Sequence, residues 1–284
     1  MTTNAPCNSD IMSARFLYQN GMEVHSGSFD IPPTPVPDFE SCYVFAFAKA
    51  GSVLINNLTY GIMQHAGVPV VDVPVSIFNS GVATSSVIMD LGRIFRPYGY
   101  CYAGFRSILP CMRGTIDNLS DRIILMVRDP RDMLVSLYYS IKYSHKFPSN
   151  MTPQAIYELE SQCWARDVNI DEFCVTNSII YNVMFKDFQA LIGKKKVAVI
   201  RYEEAVFDKV ALAHTICDKF SISIPLERLK EIVAPHDVLP SEDKPLDHIR
   251  QVRPGDHTRK LAPGTIEKLN IMMGEFMSFF GYGP

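Results

Sequence analysis

Apolar and polar positions along the chain follow two periods. Cys42 to Ala48 and Ile123 to Val127 are short, almost unbroken apolar runs. Runs of that length suit strands covered on both faces. After each, apolar residues recur every three or four positions: Leu54, Leu58 and Ile62 in one case, Met133, Leu134, Leu137 and Tyr138 in the other. That spacing predicts helices, the first over Val53 to about Gln64. Val197 to Arg201 predicts a further strand, with helices over 208–220 and 225–234 after it. Thr152–Cys163, Asn177–Ile192 and Thr265–Phe280 read as helices too. The last carries Ile266, Leu269, Met273, Phe276 and Phe280 on one face. Alternating strands and helices make an α/β domain with a central parallel sheet.

Other stretches speak less plainly. Within residues 1–30, Arg15–Tyr18 and Met22–His25 read as short strands or loop. Ile31–Pro37 holds four prolines in seven residues, which excludes a helix and implies an extended course. Residues 1–40 are therefore taken as an N-terminal lead-in and 41–284 as one domain. Gly67–Phe78 is β-rich but broken by Pro69 and Pro74. Asn79–Gly92 reads equally as helix or loop. Tyr98–Phe105, aromatic and glycine-rich, suits a core strand or a pocket wall.

The chemistry gathers where strands give way to helices. Lys49-Ala50-Gly51-Ser52 is a small-residue turn between a strand and a helix. Backbone N–H groups at such a turn face an anion, and a lysine adds a mobile positive charge. Arg128 stands where the second strand ends. Asp129 can cap the next helix, Pro130 suits its first position, and Asp132 follows three residues after the cap. The plainest reading of Arg128 is a surface ion pair with Asp129 or Asp132; the sharper one is an anion site at a sheet edge. The pattern GxxxxGK[ST] is absent, which disfavours an ordinary ATP or GTP loop.

Composition narrows the partners. The 284 residues include 27 basic and 30 acidic side chains, for a net charge of −3. Broad nucleic-acid binding needs a basic surface, so it is disfavoured, although a local basic pocket is not. The 47% hydrophobic content supports a sizeable core. The polar start MTTNAPCNSD lacks the pattern of a signal peptide, and no apolar run reaches the ~18 residues that would span a membrane. Seven scattered cysteines without a CxxC pair imply reduced thiols in a cytoplasmic protein, and no metal site.

Val127 to Tyr138, VRDPRDMLVSLY, closely resembles the 3'-phosphate-binding segment of the cytosolic type of PAPS-dependent sulfotransferases. The resemblance implies a P-loop-like sulfotransferase fold, with Arg128 and Ser136 on the 3'-phosphate. Lys49-Ala50-Gly51-Ser52-Val53-Leu54 is similar to the family's Lys-Ser-Gly-Thr-Thr-Trp loop for the 5'-phosphosulfate, without its second threonine and its tryptophan. Tyr202-Glu203-Glu204 resembles a segment whose tyrosine lies near the nucleotide. Ile249–Lys260 resembles the loop that folds over the 3'-phosphate, which brings in Arg250 and Gly255. The family's Thr-Ser-Phe adenine contact aligns with His236-Asp237-Val238, which does not match it. The family's general-base histidine falls, by counting back from Arg128, on Arg106. An arginine cannot act as a base at neutral pH. His145, in a region resembling the acceptor lining, ranks first among substitutes.

The resemblance therefore implies sulfuryl transfer from PAPS to a hydroxyl or amine of a small molecule, releasing 3',5'-ADP, with Lys49 as the charge stabiliser and no metal. Departures in the pocket region point to a specialised acceptor, such as a natural product. No nucleic-acid or membrane partner is expected, and a homodimer is compatible. Two other readings stay open: a small-molecule kinase on a related fold, and a catalytically silent nucleotide-binding protein.

Overall fold

The computed structural model describes residues 11–92, 94–144, 153–238 and 253–284. The chain starts with a hairpin, Met12–Asn20 (β1) and Glu23–Ile31 (β2). The α/β part follows: Cys42–Ala46 (β3), Ser52–Ala66 (α1), Val70–Asp72 (β4), Val73–Asn79 (α2), Val87–Asp90 (β5) and Cys101–Phe105 (β6). Next come Pro110–Arg113 (α3), Ile123–Val127 (β7), Pro130–Tyr139 (α4), Pro153–Asp167 (α5), Ile170–Lys194 (α6) and Val197–Arg201 (β8). Tyr202–Ala205 (α7), Lys209–Phe220 (α8), Leu226–Val233 (α9), His257–Lys260 (α10), Pro263–Met272 (α11) and Gly274–Phe280 (α12) complete it.

Five strands form a parallel sheet in the order β4-β6-β3-β7-β8. The apolar runs are buried on both faces, as their composition requires. Along β3, Tyr43, Phe45 and Phe47 enter one core, while Cys42, Val44 and Ala46 enter the other. β7 divides the same way, with Ile123, Leu125 and Val127 opposite Ile124 and Met126. The first core is closed by α4, α6, α11 and α12, through side chains such as Met133, Phe188, Leu269 and Phe276. The second is closed by α1, α8 and α9, through Ile55, Leu58, Ile216 and Leu229. Each such side chain contributes roughly 1.5–3 kcal/mol when fully buried. The rings of Phe188 and Phe276 lie 4.7 and 5.0 Å from that of Phe47, just before the Lys49 turn. The turn thus leaves from a fixed point.

Several weakly patterned stretches take definite shape. β1 and β2 pair antiparallel over nine residues each, and β5 joins β1 to give a second, three-stranded sheet. Ala14, Phe16 and Ile31 are fully buried, so the stretch read as a lead-in carries core residues. Of Gly67–Phe78 only Val70–Asp72 is strand; Asp72 then caps a helix by accepting the Val75 N–H at 3.0 Å, and Pro74 sits in its first turn. Asn79–Gly92, read as helix or loop, supplies β5. The expected helix over 265–280 is two helices, which meet at Met273 with φ −111°.

A buried arginine ties this architecture together. Arg131 grips Asp129 through Nε at 3.0 Å and Nη2 at 2.7 Å, and also donates to Asn270 Oδ1 at 2.8 Å and to the Gly283 carbonyl at 2.9 Å. The Asp129 N–H donates to Glu203 at 2.8 Å, and Glu203 accepts from Tyr282 at 2.9 Å. The carboxyl-terminal segment is stitched to the turn after β7 by these bonds. Arg131→Ala would leave Asp129 buried without its partner, so we expect a loss of about 3–5 kcal/mol in chemical denaturation; a loss below ~1 kcal/mol would contradict this role.

Candidate active site

Four adjacent strands deliver the candidate residues to one edge of the sheet. Arg106 follows β6, Lys49 follows β3, Arg128 follows β7 and Tyr202 follows β8. The strands are parallel and in register, with Phe45 beside Phe105, Ala46 beside Met126 and Val127 beside Arg201. Their carboxyl ends therefore open together, where α/β sheets bind ligands.

The turn after β3 is bent in an unusual way. Lys49 has φ +67° and Gly51 has φ +90°. A Cβ on Gly51 would lie 2.7 Å from the Tyr202 ring and 3.0 Å from Met126 Sδ, so only glycine fits. Gly51 caps α1 without a side-chain hydrogen bond, and the first turn of that helix holds no acidic residue. Its leading N–H groups are thus offered to an outside acceptor, with the helix dipole behind them. The Ala50 N–H is already spent on Phe47 O at 3.0 Å, and its side chain is buried in the core.

Arg128 is only 5% exposed. Its Nη1 donates to the Lys49 carbonyl at 3.3 Å, and its guanidinium lies 4.5 Å from the centre of the Tyr202 ring. Nη2 is 3.5 Å from Asp132, while Nε is buried and has no hydrogen-bond acceptor among the described residues. The ion pair with Asp132 exists, but it is interior, not superficial; Asp129 belongs to Arg131. Asp132 is fully buried and accepts from the N–H groups of Gly255 at 2.7 Å and His257 at 3.0 Å, with His257 Nδ1 at 2.7 Å. Burial alone would raise its pKa, but the His257 hydrogen bonds and the Arg128 charge outweigh that and hold it at about 2. Burial also raises the pKa of the Tyr202 phenol against the opposing charge of Arg128.

These groups line one cavity of about 910 Å³. Lys49, Gly51, Ser52, Val53, Leu54, Arg128, Ser136 and Tyr202 all face it. Ala50 and Gly255 do not; Gly255 is turned to Asp132 instead. His145 and Arg250 lie outside the described residues. Apolar side chains, Leu137, Ile141, Trp164, Phe173, Ile180 and Met184, also wall the cavity, interleaved with polar ones such as Gln162 and Asn177. Arg106 lines it as well. Among the described residues that line it, Lys49, Arg106, Arg128 and Lys209 are the cations, and none is an aspartate or glutamate. In a chain of net charge −3 that is a marked local reversal.

Sequence reasoning overlooked Lys209 and Tyr181, and singled out His236 only as a mismatch to the family's adenine contact. Lys209 is buried and bound to Asp237 at 2.7 Å; one lysine at a helix start carries no signal of that kind. His236 lies on the turn after α9, beside that pair. Tyr181, spaced like a core residue of α6, donates its hydroxyl to the Ala48 carbonyl at 2.9 Å and so braces the turn from below.

Comparison with known proteins gives this site a context. Residues 110–235 match the family model for the sulfotransferase domain. The solved structure of mouse sulfotransferase SULT7A1 complexed with PAP is similar at a TM-score of 0.57 and 15% identity, covering 84% of each chain. Retinol dehydratase in complex with retinol and PAP reaches a TM-score of 0.48 at 12% identity over 89% of each chain, a likeness that carries no weight below. No curated protein sequence matches.

The low pKa of Asp132 has a consequence for stability. A carboxyl held below its ordinary value near 4 stabilises the fold above that pH and loses the effect as pH falls toward about 2. Asp132→Asn should therefore cost on the order of 2 kcal/mol at neutral pH, with the gap to the wild type closing between about pH 4 and pH 2. A gap that stays constant across this window would contradict the assignment.

Proposed function

We propose that this chain, which has the sulfotransferase fold and carries a sulfotransferase domain, moves the sulfuryl group of PAPS to a small-molecule acceptor and releases 3',5'-ADP. The observation that carries the reading is the pairing of two anion cradles on neighbouring strand ends, opening into one cavity whose described lining residues include four cations and no carboxylate. PAPS bears negative charge at both of its ends, so a site with two such cradles suits it. The orphaned Arg128 Nε, the uncapped start of α1 and the glycine at the bend each fit an incoming phosphate.

In this reading Arg128 and Ser136 hold the 3'-phosphate, with Arg250 from the following loop. Gly255 acts indirectly, by fixing that loop to Asp132. The N–H groups from Gly51 to Leu54 and the Ser52 hydroxyl take the 5'-phosphate, while Tyr202 closes the wall beside it. Sulfuryl transfer is a displacement in which position and charge do most of the work. The acceptor's lone pair forms the new bond to sulfur. The bond from sulfur to the bridging oxygen of the 5'-phosphate breaks, and 3',5'-ADP leaves with the electron pair. Lys49, which lines the cavity at the turn, supports this reading as the cation that meets the charge growing on that oxygen. The apolar side chains of the wall, such as Trp164 and Phe173, receive the body of the acceptor.

A kinase reading needs the GxxxxGK[ST] loop, which the turn at Lys49 does not provide. A silent nucleotide-binding protein would need the same two cradles, so only turnover separates it. The six described cysteines are all free thiols, which suits the cytoplasm, and no helix among the described residues is long and apolar enough to cross a membrane.

Lys49→Ala should lower kcat by more than ~10²-fold while leaving the fold intact, as for other lost charge stabilisers. Unchanged turnover would remove Lys49 from the mechanism. Arg128→Ala should weaken 3',5'-ADP binding by roughly tenfold to a hundredfold in calorimetry, since charge-assisted hydrogen bonds are lost. Level affinity would overturn the 3'-phosphate assignment. A thermal shift larger for ATP than for 3',5'-ADP would favour the kinase reading instead.

A further inference from the structure

Among the described residues that line the cavity, none is placed to take the acceptor's proton. The described residues lining the cavity include no aspartate, glutamate or cysteine. Tyr181 has its hydroxyl committed to the Ala48 carbonyl, and burial raises its pKa, so it stays protonated. His236, the described histidine on the wall, sits on the turn after α9, next in the chain to Asp237, which binds Lys209 at 2.7 Å, and His236→Ala should leave acceptor turnover in place. What stands at the sheet edge that carries Lys49 is Arg106. It is the first residue after β6, on the strand beside β3, and the preceding Gly104 N–H is tethered to Asn56 of α1 at 3.4 Å. Arg106 is exposed, faces the cavity, and pairs with no carboxylate among the described residues. It shares the cavity wall with Lys49 and with Tyr181, whose hydroxyl donates to the Ala48 carbonyl at 2.9 Å just before the Lys49 turn.

We propose that Arg106 binds the acceptor's nucleophilic atom as an anion, so that the enzyme takes acceptors with an acidic O–H or N–H and discriminates against aliphatic alcohols. This rests on the sulfuryl-transfer reading above. A cation a few ångströms away favours the ionised form of an acid by roughly tenfold to a thousandfold. The acceptor proton goes to solvent before attack. The anion then forms its bond to sulfur as the bond to the 5'-phosphate oxygen breaks, so no side-chain base takes part and no redox partner is needed.

The test compares wild type, Arg106→Met and Arg106→Lys at one neutral pH, with PAPS as donor. The acceptors are 4-nitrophenol, an unsubstituted phenol and an aliphatic alcohol of similar size. In the wild type kcat/KM should rise with acceptor acidity, by ~10-fold or more across the set. Arg106→Met should lose ~10-fold or more on 4-nitrophenol, Arg106→Lys should restore part, and 3',5'-ADP affinity should be unchanged in both. A second measurement is independent of turnover. Titrating 4-nitrophenol into the enzyme with 3',5'-ADP should raise phenolate absorbance in the wild type but not in Arg106→Met. Equal turnover of the aliphatic alcohol, an unchanged Arg106→Met, or loss of 4-nitrophenol turnover in His145→Ala would each overturn the proposal. Failure of the wild type to bind 3',5'-ADP would instead strike the donor assignment, and the absorbance titration without nucleotide would still read Arg106 on its own.

Discussion

A guanidinium 5% exposed, at the end of a buried strand, is the constraint around which this molecule is arranged. Removing that charge from water is expensive, and the protein offsets the cost only in part. Among the described residues Arg128 has one carbonyl at 3.3 Å, one carboxylate at 3.5 Å and the face of Tyr202, and its Nε has no acceptor. Distances of 3.3 and 3.5 Å are loose for charge-assisted contacts, which usually run near 2.7–2.9 Å. The residues that hold Arg128 are themselves held tightly. Asp132 is fixed by two backbone N–H groups and His257, and Tyr202 is pressed against the bend at Gly51. A rigid frame around an under-satisfied cation is what an anion site needs before its ligand arrives.

The same frame couples the two cradles. The Arg128 guanidinium touches the carbonyl of Lys49 and the ring that limits Gly51, so the 3'-phosphate end and the 5' turn share one set of contacts. Arg131 takes Asp129 out of competition for Arg128, and that division of labour leaves Asp132 as its carboxylate partner among the described residues. Neighbouring arginines in the chain thus separate into a structural clamp and a ligand-facing group.

Much of this was legible in the sequence, for identifiable reasons. Ile123–Val127 is an unbroken apolar run, and such runs end at a sheet edge, so the place of Arg128 followed from composition and period alone. The cap at Asp129 and the proline after it fixed the helix start. The bend at Lys49-Ala50-Gly51-Ser52 followed from its small residues, but not which N–H groups remain available; the Ala50 bond to Phe47 O is visible only in the fold. The hairpin Met12–Ile31 was obscured because several of its inward positions are held by Ala14, His25 and Gly27, so an alternation that is regular in burial is weak in the apolar pattern. Tyr181, Lys209 and His236 reach the cavity from helices and a turn far away in the chain, and local pattern holds no information about such convergence. That no carboxylate is among the cavity's described lining residues is likewise a property of the assembled wall, not of any stretch.

The central claim is that two neighbouring strand ends grip the two ends of one adenosine nucleotide. A crystal structure with 3',5'-ADP tests it most directly. The account predicts the 3'-phosphate on Arg128 and Ser136, and the 5'-phosphate on the N–H groups between Gly51 and Leu54. A nucleotide bound with neither phosphate at these groups would contradict it.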